Sequence, residues 1–581
     1  MQLTPKTVAG AASTARSTLL RQPAGALRQR LAGALCFSAG LGAAARRCEL
    51  RQPSDAAVVA CLSSLTVYAD ANDRRGTMMD ELMLDWERST ETSTASAGDA
   101  DARGFGCSLD CIWEDPIGYT LSRSSLHPPA RDGEDSSSSS SSSWELLELQ
   151  AYIADQRNAT TAKSFTRGRH EIQATFCVAP PPRVSYLCVY CPNLKPSDFG
   201  TEPLVLATDQ NLVLFRAAIC IPSVCHEQAM QDLFVYQAEE WGGGSSLTRI
   251  PNPGSRCVFG LSEFGIVRRE VTAGCFLRPH GVSQQQYMVA VLSCAPGSSY
   301  PGEQEVYHLH RFRSGDTEWT TTVLRFTPTK PSPGLTFFCH IANRVITLGG
   351  GFLGWVDLRQ GILVCNVLAD EPELSYISLP RLLKYDKEPS NADVKNVRDI
   401  AVVKGHIVYA EHKTIVVPMS YVNGTYTSDN WKVAASRWKI NLGCWKGGWE
   451  DKRECSGSQI SGSLSDMLSP NYATPLPRLR KLHTGLPTIS LEEEDVLYLL
   501  AKVDHRDDNG FILAVDMKKE AVREAAHFLC ERMVGLTFNY RPSSISRYLT
   551  AGKKEKPKKR PGLLLGSSIK KKPGHDDVTY A

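Results

Sequence analysis

From Trp144 onward the chain consists of short β-branched and aromatic runs separated by Gly, Pro, Asn and Asp, and this texture constrains the fold most. Val184–Tyr190, Leu204–Ala207, Leu212–Phe215, Leu233–Tyr236, Tyr287–Ser293, Val306–Phe312 and Thr321–Phe326 read as strands. So do Arg344–Leu348, Ile362–Leu368, Tyr376–Leu379, Ile400–Val403, His406–Ala410, Val496–Val503 and Phe511–Val515. Helical periodicity is scarce. Val522–Met533 is the best predicted helix, with Ala525, Phe528 and Leu529 on one face. A mainly β body with one short C-terminal helix is expected.

The strands fall into groups. Units starting at 287, 344 and 398 lie 57 and 54 residues apart, close to the ~50-residue period of kelch blades. A chain of 581 residues is too long for one compact core, since cores stop growing near ~250–300 residues. Repeated blades escape that limit because each packs mainly on its neighbours. The expected architecture is a propeller-like, kelch or F-box-associated-like body of antiparallel strands over residues 144–550.

Several segments resemble one family in order along the chain. They are Trp144-Glu-Leu-Leu with Ala151-Tyr-Ile-Ala-Asp and Asn158-Ala-Thr-Thr-Ala, then Gly354-Trp-Val-Asp-Leu-Arg-Gln-Gly-Ile-Leu, Arg398-Asp-Ile-Ala-Val-Val-Lys-Gly, and Leu486-Pro-Thr-Ile-Ser-Leu followed by Glu492-Glu-Glu-Asp-Val-Leu-Tyr. Over 144–550 the chain is similar to the grass-expanded plant family known as domain of unknown function 1618. The resemblance implies no established activity and a body like the kelch-like domains attached to plant F-box proteins. Residues 1–143 contain no helical Leu-Pro-rich module of the F-box type.

The ends have a different composition. Residues 1–48 hold seven basic residues and no acid, and the leader, 1–50, has the Ala/Arg/Ser texture of an organelle transit peptide or of a mispredicted first exon. Residues 51–143 carry polar tracts, including Ser136–Ser143, and are expected to be mostly disordered because they offer little apolar surface to bury. The tail, 551–581, is basic. Lys553, Lys554, Lys556, Lys558, Lys559 and Arg560 form one cluster and Lys570–Lys572 a second, a pattern suited to a nuclear-import signal or polyanion contact.

With a net charge of +3 and basic ends, the middle must be acidic. That is unlike a folded nucleic-acid reader, so nucleic acid is expected only at the tail. The 18 cysteines form no dense framework, which suits reduced thiols in nucleus or cytoplasm. The leader, if real, would direct the chain to mitochondrion or chloroplast instead. No stretch is apolar for the ~20 residues of a membrane span.

No recognised catalytic motif is present: no Gly-x-Ser-x-Gly, His-Glu-x-x-His, phosphate loop or kinase signature. Gly349–Gly351 lacks a following Lys-Ser/Thr and reads as a tight turn. Cys188, Cys191, Cys220 and Cys225 are weak zinc candidates, outweighed by buried thiols in a β core. His308 and His310 share a strand face and remain unassigned. Trp431, Trp438, Trp445 and Trp449, interleaved with Lys432, Lys439 and Lys446, are either an interaction platform or rings wedged between blades. The expected function is a non-catalytic protein-interaction module without a cofactor. The alternatives are a small-molecule-binding or catalytic propeller channel, and a nucleic-acid-associated regulator acting through the tail.

Overall fold

Half-buried strands alternate apolar and polar side chains, whereas strands packed on both faces are apolar throughout. The computed structural model shows both patterns. It describes residues 113–114, 120–129, 142–219, 231–238, 244–253, 259–269, 286–295, 305–327, 340–386, 389, 394–420, 426–462, 478–532 and 540–549. The basic tail, the leader, Cys220 and Cys225 lie outside these residues.

The described residues form a six-bladed propeller with two one-turn helices. Ahead of the blades, β1 (Trp113–Glu114) pairs with β2 (Thr120–Leu121). Then come β3 (Glu145–Glu148), β4 (Tyr152–Ile153), β5 (Ala162–Phe165), β6 (Glu171–Cys177) and β7 (Val184–Tyr190). Blade 1 contains β8 (Phe199–Asp209), β9 (Leu212–Ile219), β10 (Asp232–Gln237) and β11 (Ser246–Ile250). Blade 2 contains β12 (Phe264–Arg269), β13 (Gln286–Cys294), β14 (Glu305–Arg313) and β15 (Thr320–Phe326). Blade 3 has β16 (Arg344–Gly349), β17 (Phe352–Asp357), β18 (Gly361–Asn366) and β19 (Leu374–Ser378). Helix α1 (Val394–Val397) leads into blade 4, made of β20 (Arg398–Val403), β21 (His406–Val416), β22 (Ser428–Lys439) and β23 (Glu450–Ser456). Blade 5 has β24 (His483–Ile489), β25 (Val496–Lys502), β26 (Asn509–Asp516) and β27 (Ala521–Leu529). Strand β28 (Tyr540–Ser543) and helix α2 (Ser546–Leu549) follow.

Blades 1–5 are antiparallel meanders. Blade 6 is composite, in the order β28-β3-β7-β6-β5. The C-terminal β28 runs antiparallel to β3, and β3 runs parallel to β7. This ladder closes the ring. The first strands of successive blades, β8 to β24, touch in order, and β24 touches β28.

The central strands are apolar on both faces, as sandwiching between blades requires. All residues of β25 are buried, and all of β26 after Asn509. Every run read as a strand overlaps one, with Ile362–Leu368, Tyr376–Leu379 and Val496–Val503 running one or two residues past the strand ends. Two expectations change. Val522–Met533 is not a helix: Ala521–Leu529 is the last strand of blade 5, paired along β26 from Asp516↔Ala521 to Asn509↔Leu529. Eight-residue β26 offers an open edge, and filling it satisfies more backbone groups than a lone helical turn would. The blade period is also uneven, with first strands starting at 199, 264, 344, 398 and 483. The unit read from Tyr287 starts on the second strand of blade 2, because short β12 precedes it. Residues 120–129, within the polar N-terminal stretch, pack on the body: Leu121 joins the core cluster of blades 6 and 1, and Ser125 Oγ donates to Glu202 Oε1 at 3.0 Å. Among the described residues no helix is long and apolar enough to cross a membrane.

The closing seam holds a buried acid. Glu145 on β3 is 0% exposed and sits opposite Ser543. Burial lifts its carboxyl from the usual 4.5 to about 8, opposed by the nearby hydroxyls of Ser543 and Ser185. The folded chain therefore keeps a proton that the unfolded chain releases. Stability present at low pH is lost as pH rises from the ordinary carboxylate range toward about 8, and the loss stops above it. Glu145→Gln removes this dependence. The variant is expected to exceed the wild type at pH ~8 by on the order of a few kcal/mol and to match it more closely at pH ~4, checked by urea midpoints at the two pH values.

Candidate cationic channel site

The turns and first strands of blades 3 to 6 enclose a cavity on the propeller axis. It measures ≈ 40 Å³ to the centres of water-sized spheres, and ≈ 470 Å³ when its open mouth is counted. The smaller figure is room for a few waters. Its polar lining includes Arg344 from blade 3, Lys395, Arg398 and Asp399 from blade 4, Thr488 from blade 5, and Arg541 from the closing strand. Leu149, Leu358 and Leu486 supply apolar wall.

Two of the four cations have carboxylate partners. Arg344 Nη1 donates to Asp399 Oδ1 and, at 2.7 Å, to the Ile400 carbonyl. Asp399 Oδ2 accepts the Ile489 N–H at 2.9 Å, so this 3%-exposed acid ties blades 3, 4 and 5 together. Arg398 lies 3.4 Å from Glu411 and donates to the Leu358 carbonyl at 3.2 Å. Glu411 in turn accepts the Leu382 and Leu383 N–H groups and the Tyr409 hydroxyl.

Lys395 and Arg541 differ. Among the described residues neither forms an ion pair. Lys395 Nζ donates to Ser262 Oγ at 3.2 Å, and Arg541 Nη1 reaches the Leu206 carbonyl at 3.5 Å, a long contact. Burial pulls Arg541 down to about 9, with Arg344 adding repulsion and Asp399 opposing it. Lys395 is open to the cavity, yet surrounding protein displaces bulk water and pulls it down to about 8, with repulsion from Arg541 and Arg344. The wall is strained beside them. Leu486 has φ 50° within the β24 bulge, a conformation that bulky residues avoid.

The residues singled out from sequence lie elsewhere. Trp431 and Trp438 both sit on β22, and seven steps along a strand reverse the face. Trp431 is fully buried between blades 4 and 5, and its Nε1 donates to the Leu479 carbonyl at 3.0 Å. Its ring lies so close to Gly457 that a Cβ there would sit 2.6 Å away. Trp438 is buried on the other side with the blade 3–4 core. Trp449 stacks edge-on against it, and Trp445 against Phe352; both remain half-buried in the 440–449 loop. The four rings therefore form no single platform.

Cys188 and Cys191 pack into different clusters, and burial lifts the Cys191 thiol to about 12. Among the described residues no group of three His, Cys, Asp or Glu is placed to hold a metal. His310 is buried, its Nδ1 2.9 Å from Thr321 Oγ1, with the His308 ring 6.2 Å away. Gly349–Gly351 is the β16–β17 turn, with φ of 92°, 59° and 85°. The Glu492–Asp495 acids reach neighbouring strands: Glu494 pairs with Arg437 at 2.7 Å and Glu493 with Arg523 at 2.5 Å. Sequence reading did not flag Arg344, Lys395, Asp399 or Arg541. Lys395 and Asp399 share one segment, but Arg344 and Arg541 lie far from it in the chain, and only ring closure brings the three segments together. The segments that carry the family resemblance nevertheless supply six of the twelve lining residues.

The fold and its axial cavity define a β-propeller. Within it, residues 355–498 match the model of a family described as protein of unknown function (DUF1618), a narrower span than 144–550. No curated protein matches the chain. Among solved structures, the WD40 domain of SCAP from fission yeast covers 70% of this chain and 96% of its own length, at 9% identity and TM-score 0.23. That score is too low to carry an argument.

Asp399→Asn is expected to destabilise by about 3 kcal/mol, because it leaves the mostly covered Arg344 side chain, 14% exposed, without a counter-charge. Arg344→Met combined with Asp399→Leu should recover most of that loss, which a double-mutant cycle in urea would measure.

Proposed function

We propose that the chain is a non-catalytic protein-interaction module whose body spans 144–550. The observation that carries this reading is the 440–449 loop between β22 and β23. Trp449 Nε1 anchors it to the Ser378 carbonyl of blade 3 at 2.8 Å, and Trp445 rests on Phe352. On that fixed base it shows Leu442, 51% exposed, the half-buried faces of Trp445 and Trp449, and exposed Lys446. Indole faces held at small entropic cost beside a cation make good contact anchors. The reading narrows the tryptophan set to Trp445 and Trp449.

The Lys553–Arg560 and Lys570–Lys572 clusters fit nuclear import within the same reading, and nucleic acid would bind there alone. Kelch-like ancestry and plant origin rest on the family resemblance.

Affinity purification of the full chain from plant cells, beside a Leu442→Asp/Trp445→Ala variant and a chain ending at Leu549, tests the proposal. Loss of the same few proteins from the loop variant alone supports it. Equal recovery by all three removes the loop as the contact surface, and loss only on truncation moves the contact to the tail.

A further inference from the structure

We propose that the channel cavity binds a small tetrahedral oxyanion of the phosphate or sulfate class, held between Arg541 and Lys395 with Arg344 behind them. This inference is independent of the 440–449 loop.

Charge supports it first. The cavity gathers four cations and one acid, Asp399. Asp399 is engaged by Arg344 and the Ile489 N–H, and Glu411 holds Arg398 through one oxygen while backbone amides take the other. Among the described residues, Lys395 and Arg541 are the lining cations that form no ion pair, although Asp399 lies near enough to act on Arg541. Burial depresses both, and so does repulsion, from Arg541 and Arg344 on Lys395 and from Arg344 on Arg541, so the fold holds like charges together around one cavity. Such an arrangement costs stability, and groups perturbed in this way cluster at functional sites.

Donors and size agree. A guanidinium presents five N–H groups in a fork that fits an oxyanion, and an ammonium presents three. Here Arg541 makes one long contact and Lys395 one bond to Ser262. Thr488 also lines the space, its hydroxyl held by the Leu486 carbonyl at 3.2 Å, and the leucine walls keep the local dielectric low, which strengthens attraction to an anion. A core of ≈ 40 Å³ suits a phosphate-sized group, free or at the end of a larger molecule reaching through the mouth. Strained Leu486 fixes the wall against which the ion would sit.

A purely structural role for the two cations makes a different prediction. As braces to Leu206 and Ser262 they would stabilise the chain, and their loss would lower its melting temperature whatever the anion. As anion ligands they strain the empty site.

The test is thermal melting of the full chain in inorganic phosphate and in chloride at matched ionic strength, with calorimetric titration of inorganic phosphate and of glucose 6-phosphate. A saturable rise in melting temperature with phosphate and not with chloride is expected. Arg541→Gln and Lys395→Gln should each weaken binding by about tenfold or more and, without phosphate, melt at or above the wild type. Binding of inorganic phosphate alone would assign the free ion, and equal or tighter binding of glucose 6-phosphate would assign a phosphomonoester. If Arg541→Gln fails to fold, Lys395→Gln carries the comparison. No saturable effect of either probe on the wild type, or an undiminished effect in the variants, overturns the proposal.

Discussion

The ladder between β28 and β3 is the constraint on which the rest depends. It pairs Tyr540 with Glu148 and Ser543 with Glu145, joining the far end of the body to its start. Closing so long a loop costs little more than closing a short one, because the entropy grows only with the logarithm of length. In return every blade gains two neighbours and no sheet face is left bare. Strand β28 is the inner edge of its sheet, where Pro542 lacks an N–H without breaking a ladder and discourages another strand from adding.

Apolar packing between blades is non-directional, so angle and register need polar contacts. Tryptophan supplies several. Trp319 Nε1 donates to Pro251 O at 2.7 Å, Trp355 to Glu263 O at 2.8 Å, Trp449 to Ser378 O and Trp431 to Leu479 O, each crossing to an adjoining blade or its lead-in. One ring thus buries a large apolar area and fixes an orientation. Asp399 and Arg344 do the same near the axis, where sheets approach too closely for large rings. The braces hold the lining of the cavity still, which a site for a small ion requires.

The two proposed contacts lie on different parts of the body. The 440–449 loop projects from the outer half of blade 4, between its third and fourth strands. The cationic cavity is made by first strands and their turns. A ligand on the axis would touch blades 3, 4 and 6 together and so act on the ring as a whole, whereas a partner at the loop would touch blades 3 and 4.

The sequence by itself determined that the body is β and where most strands lie, because side-chain alternation and Gly/Pro/Asn/Asp punctuation are local signals. It identified Gly349–Gly351 as a turn for the same reason. It misread 522–533, where local helical preference was overruled by the open edge of β26, and it missed short β12 ahead of Gln286. Whether Trp431 and Trp438 share a surface depended on knowing that both lie on one strand, whose twofold period puts them in separate cores. Tertiary structure alone decided the channel. Arg344, the Lys395–Asp399 segment and Arg541 come from three separate blades with no common spacing, and charges scattered along a chain acquire a joint chemistry only when the ring closes and brings them to one cavity.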